Sequence, residues 1–125
     1  MEVIIYSNKD HPHKDTLLKK MSWASNLKYV LALDFKSLFR LVKLKVSDQV
    51  IIVFLISSVE DLDSLIANKE SLFNSKYILI LPNEEERLLS KAFLLYPRYL
   101  SHTSYGFKDV IQVLEKMIKN NKANP

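Results

Sequence analysis

Five short apolar segments alternating with five amphipathic ones predict a three-layer α/β domain: a (βα)5 sandwich built on a five-stranded parallel sheet. Two further observations carry that expectation. The run Val50–Ile56 is apolar throughout, as strands of a parallel sheet are when helices cover both faces. The 125 residues suit one core and are too few for two, so residues 1–125 are expected to form one domain.

The first strand is expected over Val3–Tyr6, followed by the polar stretch Ser7–Asp10 and His11-Pro12. In Asp15–Ala24, Leu17, Leu18, Met21 and Ala24 recur at helical spacing, with Trp23 expected to close the helix edge. Leu27–Leu33 reads as the second strand, and Asp34 stands as N-cap before Phe35, Leu38, Phe39, Leu41 and Val42. Ser47-Asp48 end that unit ahead of Val50–Ile56, which is expected to be the central strand. Ser58 and Asp61 form a capping pair for a helix carrying Leu62, Leu65 and Ile66. Tyr77–Leu81 is the fourth strand, and Asn83 as cap with Glu86 at N3 starts a helix running to about Leu95. Arg98–Ser101 is a short fifth strand and His102–Gly106 a loop. Val110, Val113, Leu114, Met117 and Ile118 mark a last helix that frays from Asn120.

Hydrophobic residues make up 48% and charged residues 26% of the chain, a globular composition. No apolar run exceeds the seven residues of Val50–Ile56, far from the ~20 that span a bilayer, and no signal-type leader precedes Val3, so a cytoplasmic protein without membrane partners is expected. The absence of cysteine excludes disulfides and thiolate chemistry. With Gly106 as the only glycine, a phosphate-cradling glycine loop is excluded, and no cofactor is expected. The net charge of +4 is local: Lys9–Lys45 holds nine Lys/Arg against Asp10, Asp15 and Asp34. Nucleic-acid binding is one reading of this segment, and a solvated pair of helix faces is the better one.

The order of elements, the apolar third strand and the closing Arg98-Tyr99-Leu100-Ser101-His102-Thr103 resemble the receiver domain of two-component response regulators, over nearly the whole chain. That resemblance implies a flavodoxin-like sheet of order 2-1-3-4-5. It also implies an acidic pair after the first strand, a phospho-accepting aspartate ending the third, a hydroxyl after the fourth and a lysine after the fifth. Those groups hold Mg²⁺, accept the phosphoryl group and neutralise its charge. Here the matching positions carry Ser7 and Asn8, an apolar segment including Phe54, Leu81 beside Pro82, and His102. No carboxylate lies between Asp48 and Glu60 to replace the acceptor. Tyr99 matches the aromatic position that changes rotamer in receivers.

Other constellations are weaker. His11 and His13 beside Asp10 and Asp15 lack a third metal ligand at fixed spacing and read as solvated loop histidines. Ser57, His102 and Asp34 form a triad only by free choice, without a nucleophile elbow. A polar mouth of Ser7, Asn8, Ser57, Asn83 and His102 leaves open a small-ligand site. Val3–Asp10 also resembles the first strand of Toll/interleukin-receptor-type domains, which implies NAD hydrolysis, with Glu60 or Glu70 as arbitrary nominees for the glutamate.

Aromatic residues gather in Phe93, Tyr96, Tyr99, Tyr105 and Phe107, with Leu94 between them, over the fourth helix, fifth strand and fifth helix. Aromatics are enriched at interfaces, and the resemblance implies docking on this face. The expectation is therefore a non-phosphorylatable, receiver-like interaction module that acts by binding a protein partner or a second copy of itself as a homodimer.

Overall fold

The computed structural model describes residues 2–24, 28–44, 49–72 and 75–123. Its strands are β1 (Glu2–Ser7), β2 (Val30–Ala32), β3 (Val50–Leu55), β4 (Ser75–Leu81) and β5 (Tyr99–His102). Between and after them run α1 (Lys14–Ala24), α2 (Phe35–Leu44), α3 (Val59–Ala67), α4 (Glu86–Phe93) and α5 (Lys108–Ala123), with short 3₁₀ turns at Lys69–Leu72 and Thr103–Tyr105. All pairings are parallel and the order is β2-β1-β3-β4-β5, the three-layer arrangement of flavodoxin-like folds.

β3 is central, and each of its residues is buried. Because strand side chains alternate between faces, Val50, Ile52, Phe54 and the following Ile56 enter one core with Leu38 of α2, Leu62 and Leu65 of α3, and Leu88 and Ala92 of α4. Ile51, Val53 and Leu55 enter the other, with Leu17 and Met21 of α1 and Val110, Ile111 and Leu114 of α5. The amphipathic stripes read from the sequence therefore divide three helices to one face and two to the other.

Several ends differ from the sequence expectation, each for a local reason. The Asn83 side chain accepts the Glu85 amide at 2.9 Å in an Asx-type turn, so α4 starts at Glu86 instead of using Asn83 as its cap. Asp61 reaches past Ser58 to the amide and hydroxyl of Ser57, at 2.9 and 2.7 Å. Asp34 accepts the Ser37 amide at 2.7 Å and caps α2. β5 begins one residue later than expected, at Tyr99, although the Arg98 amide already donates to the Tyr77 carbonyl of β4 at 2.8 Å. Trp23 does not close the α1 edge: it is 72% exposed, since Leu17 and Met21 already seat the helix. α5 stays helical through Ala123, past the expected fraying at Asn120. Leu27, Ser47 and Asp48 lie outside the described residues.

Phe54, fully buried between Tyr6 and Tyr77, is the largest side chain of β3. Phe54→Ala removes a ring from a close-packed interior and should cost about 3–5 kcal/mol in urea unfolding, against about 0.5–1.5 kcal/mol for Ile52→Val on the same face. Similar losses for the two variants would show that the ring is not packed as described.

Candidate functional site

In parallel α/β sheets, ligands bind beyond the carboxyl ends of the strands. There Tyr6 pairs with Phe54, Ser7 with Leu55, and Leu81 with His102. The positions singled out by the receiver resemblance are thus brought to one end of the sheet, but they do not form an open basin. Ser7 is fully buried and its hydroxyl donates to the Asn8 carbonyl at 2.9 Å. Asn8 faces solvent and its side chain accepts the Asp10 amide at 2.9 Å. Phe54 and Leu81 belong to the core.

His11 closes this end. The sequence reading made it a solvated loop histidine; it is instead 7% exposed. Its Nε2 lies 3.1 Å from the Ile56 carbonyl just past β3, and its Nδ1 accepts the His13 amide at 3.1 Å. An amide donor at Nδ1 requires a bare nitrogen there, which leaves the proton on Nε2 to donate to Ile56. The two contacts therefore select the neutral ring, and burial pushes the His11 pKa below its ordinary value, with His13 acting in the same direction and Ile56 and Asp61 opposing. Nothing in the sequence separates this histidine from exposed His13, since both stand in the same polar loop.

Beside the plug, Tyr6 stacks on Phe35 with centroids 4.5 Å apart. Desolvation, with the Asp61 and Asp34 carboxylates adding to it, raises the Tyr6 pKa and keeps its hydroxyl protonated. His102 joins the two turns at the opposite side of the mouth: Nε2 is 2.7 Å from Glu84, Nδ1 is 2.6 Å from Ser104, and Tyr105 packs on the ring at 3.9 Å. Thr103 donates to the Pro82 carbonyl at 3.4 Å. The serine meeting the histidine is thus Ser104, not Ser57, and the acid is Glu84, not Asp34. Ser57 is held by Asp61, and Asp34 by α2, so the triad considered from the sequence is not assembled.

Tyr99 is half-buried and donates to Asp109 Oδ2 at 2.8 Å, an oxygen that also takes the Ser101 hydroxyl at 2.6 Å. The hydrogen bond to Asp109, ahead of desolvation, raises the Tyr99 pKa. Asp109 Oδ1 is buried with no hydrogen-bond partner among the described residues. A ring anchored through its hydroxyl is held in one rotamer, unlike a freely turning aromatic.

The aromatic residues grouped in the sequence separate in space. Phe107, in a left-handed conformation directly after left-handed Gly106, is buried among Leu17, Met21 and Val110 and belongs to the core. Tyr105 sits on His102 at the carboxyl end of β5. Tyr96 precedes the amino end of β5 and lies near Lys69, whose ammonium is 5.2 Å from its ring. Phe93, Leu94 and Tyr96 remain as an exposed apolar group at the end of α4. The basic stretch Lys9–Lys45 is likewise divided, because α1 and α2 cover opposite faces of the sheet.

Among the described residues no group of three His, Cys, Asp or Glu could hold a metal ion. No described helix is long and apolar enough to cross a membrane.

Because folded His11 takes a proton less readily than the unfolded chain, its contribution to stability is fully present above the ordinary histidine pKa of 6.5 and is lost as pH falls below it. Urea unfolding at descending pH from 7.5 should show this loss. His11→Gln, which keeps a donor without titrating, should flatten its dependence, and an unchanged slope in that variant would remove His11 from the account.

No protein-family model, no curated protein and no solved structure matches this chain, so its functional reading rests on the geometry above.

Proposed function

We propose that the chain is a receiver-like interaction module without phosphoryl chemistry of its own, which pairs the surface at the end of α4 and the edge of β5 with a second copy of itself. The observation that carries this reading is the group Phe93, Leu94 and Tyr96, which are 60%, 53% and 78% exposed. Tyr96 also holds φ at 49°. A bulky side chain in that region costs about 1–3 kcal/mol, and its exposed ring recovers little of this within one copy. Strain of that kind is retained where the displayed side chain has a use.

Two-fold symmetry doubles the apolar surface that one copy offers, and the strand edge must supply the rest. Across a two-fold axis the three side chains count twice, supplying roughly 700 Å² of removable surface, against the ~1,000 Å² of a specific interface. The outer edge of β5, the last strand of the sheet, lies beside them and supplies backbone donors and acceptors. The burial of Ser7, Phe54 and Leu81 at the strand ends supports this reading over the small-ligand and NAD-hydrolysing alternatives, which need room beyond the strands. The absence of a carboxylate between Asp48 and Glu60, in β3 or directly after it, supports the loss of phosphoryl transfer.

Light scattering over a concentration series should show a monomer–dimer equilibrium that Phe93→Ser shifts to monomer. A strict monomer at millimolar concentration, or a dimer indifferent to Phe93→Ser, overturns the proposal. Tyr96→Gly should separate folding from association. Relief of the left-handed strain roughly offsets the lost Lys69 contact and glycine's extra entropy, so stability should stay within about 1 kcal/mol while the dimer weakens. A variant that unfolds instead would place Tyr96 among the structural residues.

A further inference from the structure

We infer that the groove between α1 and α5 is a docking site for single-stranded nucleic acid, with Trp23 as its stacking platform. This site lies on the sheet face opposite α4, so it stands or falls separately from self-association. The groove has a volume of about 520 Å³ and is lined by Lys20, Trp23, Lys108, Ile111, Gln112 and Glu115. A second groove of about 580 Å³ is lined by Gln112, Glu115, Lys116 and Lys119. The two share Gln112 and Glu115, so together they make one track along α5.

Trp23 is the feature that the fold does not need. α1 buries Leu17 and Met21 completely, yet its last turn holds the chain's only tryptophan in solvent, with the Lys19 ammonium 5.8 Å from the ring centre. Along the same track Lys108, Lys116 and Lys119 stand against the single carboxylate of Glu115, while the Lys20 ammonium donates to the Gly106 carbonyl at 2.7 Å. The other acid of α5, Asp109 in its first turn, is turned inward to Tyr99 and Ser101. An isolated indole flanked by ammonium groups matches how nonspecific single-strand binders work: cations follow the phosphates and an aromatic face stacks a base. The chain's pI of 9.2 points the same way.

An acidic peptide fits less well. Both walls are helices, so an extended peptide finds no strand edge to join, and only Trp23 and Ile111 offer apolar anchors for a docked helix. A duplex is also disfavoured, because its bases are already stacked and cannot reach the indole.

Trp23 emission reports on the site directly. Titration with an oligothymidylate of about ten nucleotides at low salt should quench it saturably. Log K should fall with log salt at a slope of about −2, as expected for about three neutralised phosphates on a single strand. Trp23→Ala should weaken binding of the labelled oligonucleotide at least tenfold by fluorescence anisotropy. The double variant Lys116→Glu, Lys119→Glu should flatten the salt slope by about 1.4. All three side chains are exposed, and circular dichroism checks that the fold is retained. Unchanged emission and anisotropy at low salt overturn the proposal. So does binding that is indifferent to both variants, which places the oligonucleotide elsewhere. Equal quenching by polyglutamate makes the groove an acidic-peptide site, and tighter binding of a duplex removes the single-strand assignment.

Discussion

The burial of β3 on both faces is the constraint on which the rest of this structure depends. Its side chains feed two separate cores, and each helix is placed by which core it completes. Removing about 25 cal/mol of unfavourable hydration per Å² on both sides of one strand gives the sheet its centre and leaves β2 and β5 as short edges. The same burial governs the chemistry. A carboxylate at Phe54 or Leu55 would sit in low-dielectric surroundings, tolerable only with a metal and a lysine close by. With Ser7, Asn8 and His102 at the neighbouring strand ends, those counter-charges are missing. An apolar strand end capped by a neutral histidine is the consistent alternative.

The architecture was legible because it depends on periodicities that survive without tertiary information. The seven-residue apolar run could only be a doubly covered strand, and the stripes on α2, α4 and α5 pointed to the faces that are buried. Side-chain fates that depend on several elements meeting were not legible. Phe107 looked like Tyr105 in sequence, and only the left-handed turn through Gly106 carries it into the core. Asn83 and Glu86 carried a sound capping pattern, but the Asx turn at Glu85 took the side chain first. His11 needed the Ile56 carbonyl, 45 positions away, before its burial had a cause.

These misreadings have one physical origin. A polar or aromatic residue in a loop has several partners of similar strength within reach, and the choice among them is worth only about 1 kcal/mol each. Apolar residues on a strand or helix stripe have one good destination and gain more by reaching it. The candidate surfaces are therefore found where the core's demands have already been met: at the end of α4, after Ala92 and Leu95 are buried, and on α1, after Leu17 and Met21 are seated.

Covalent chemistry at the carboxyl end of β3 is the most direct test of this account. The intact protein should be incubated with Mg²⁺ and a small acyl-phosphate donor and then weighed by mass spectrometry without acid exposure. An apolar strand end without an acceptor carboxylate predicts an unchanged mass. An acid-labile phosphoryl adduct mapping to the segments around Ser7, Leu55 or His102 would contradict it.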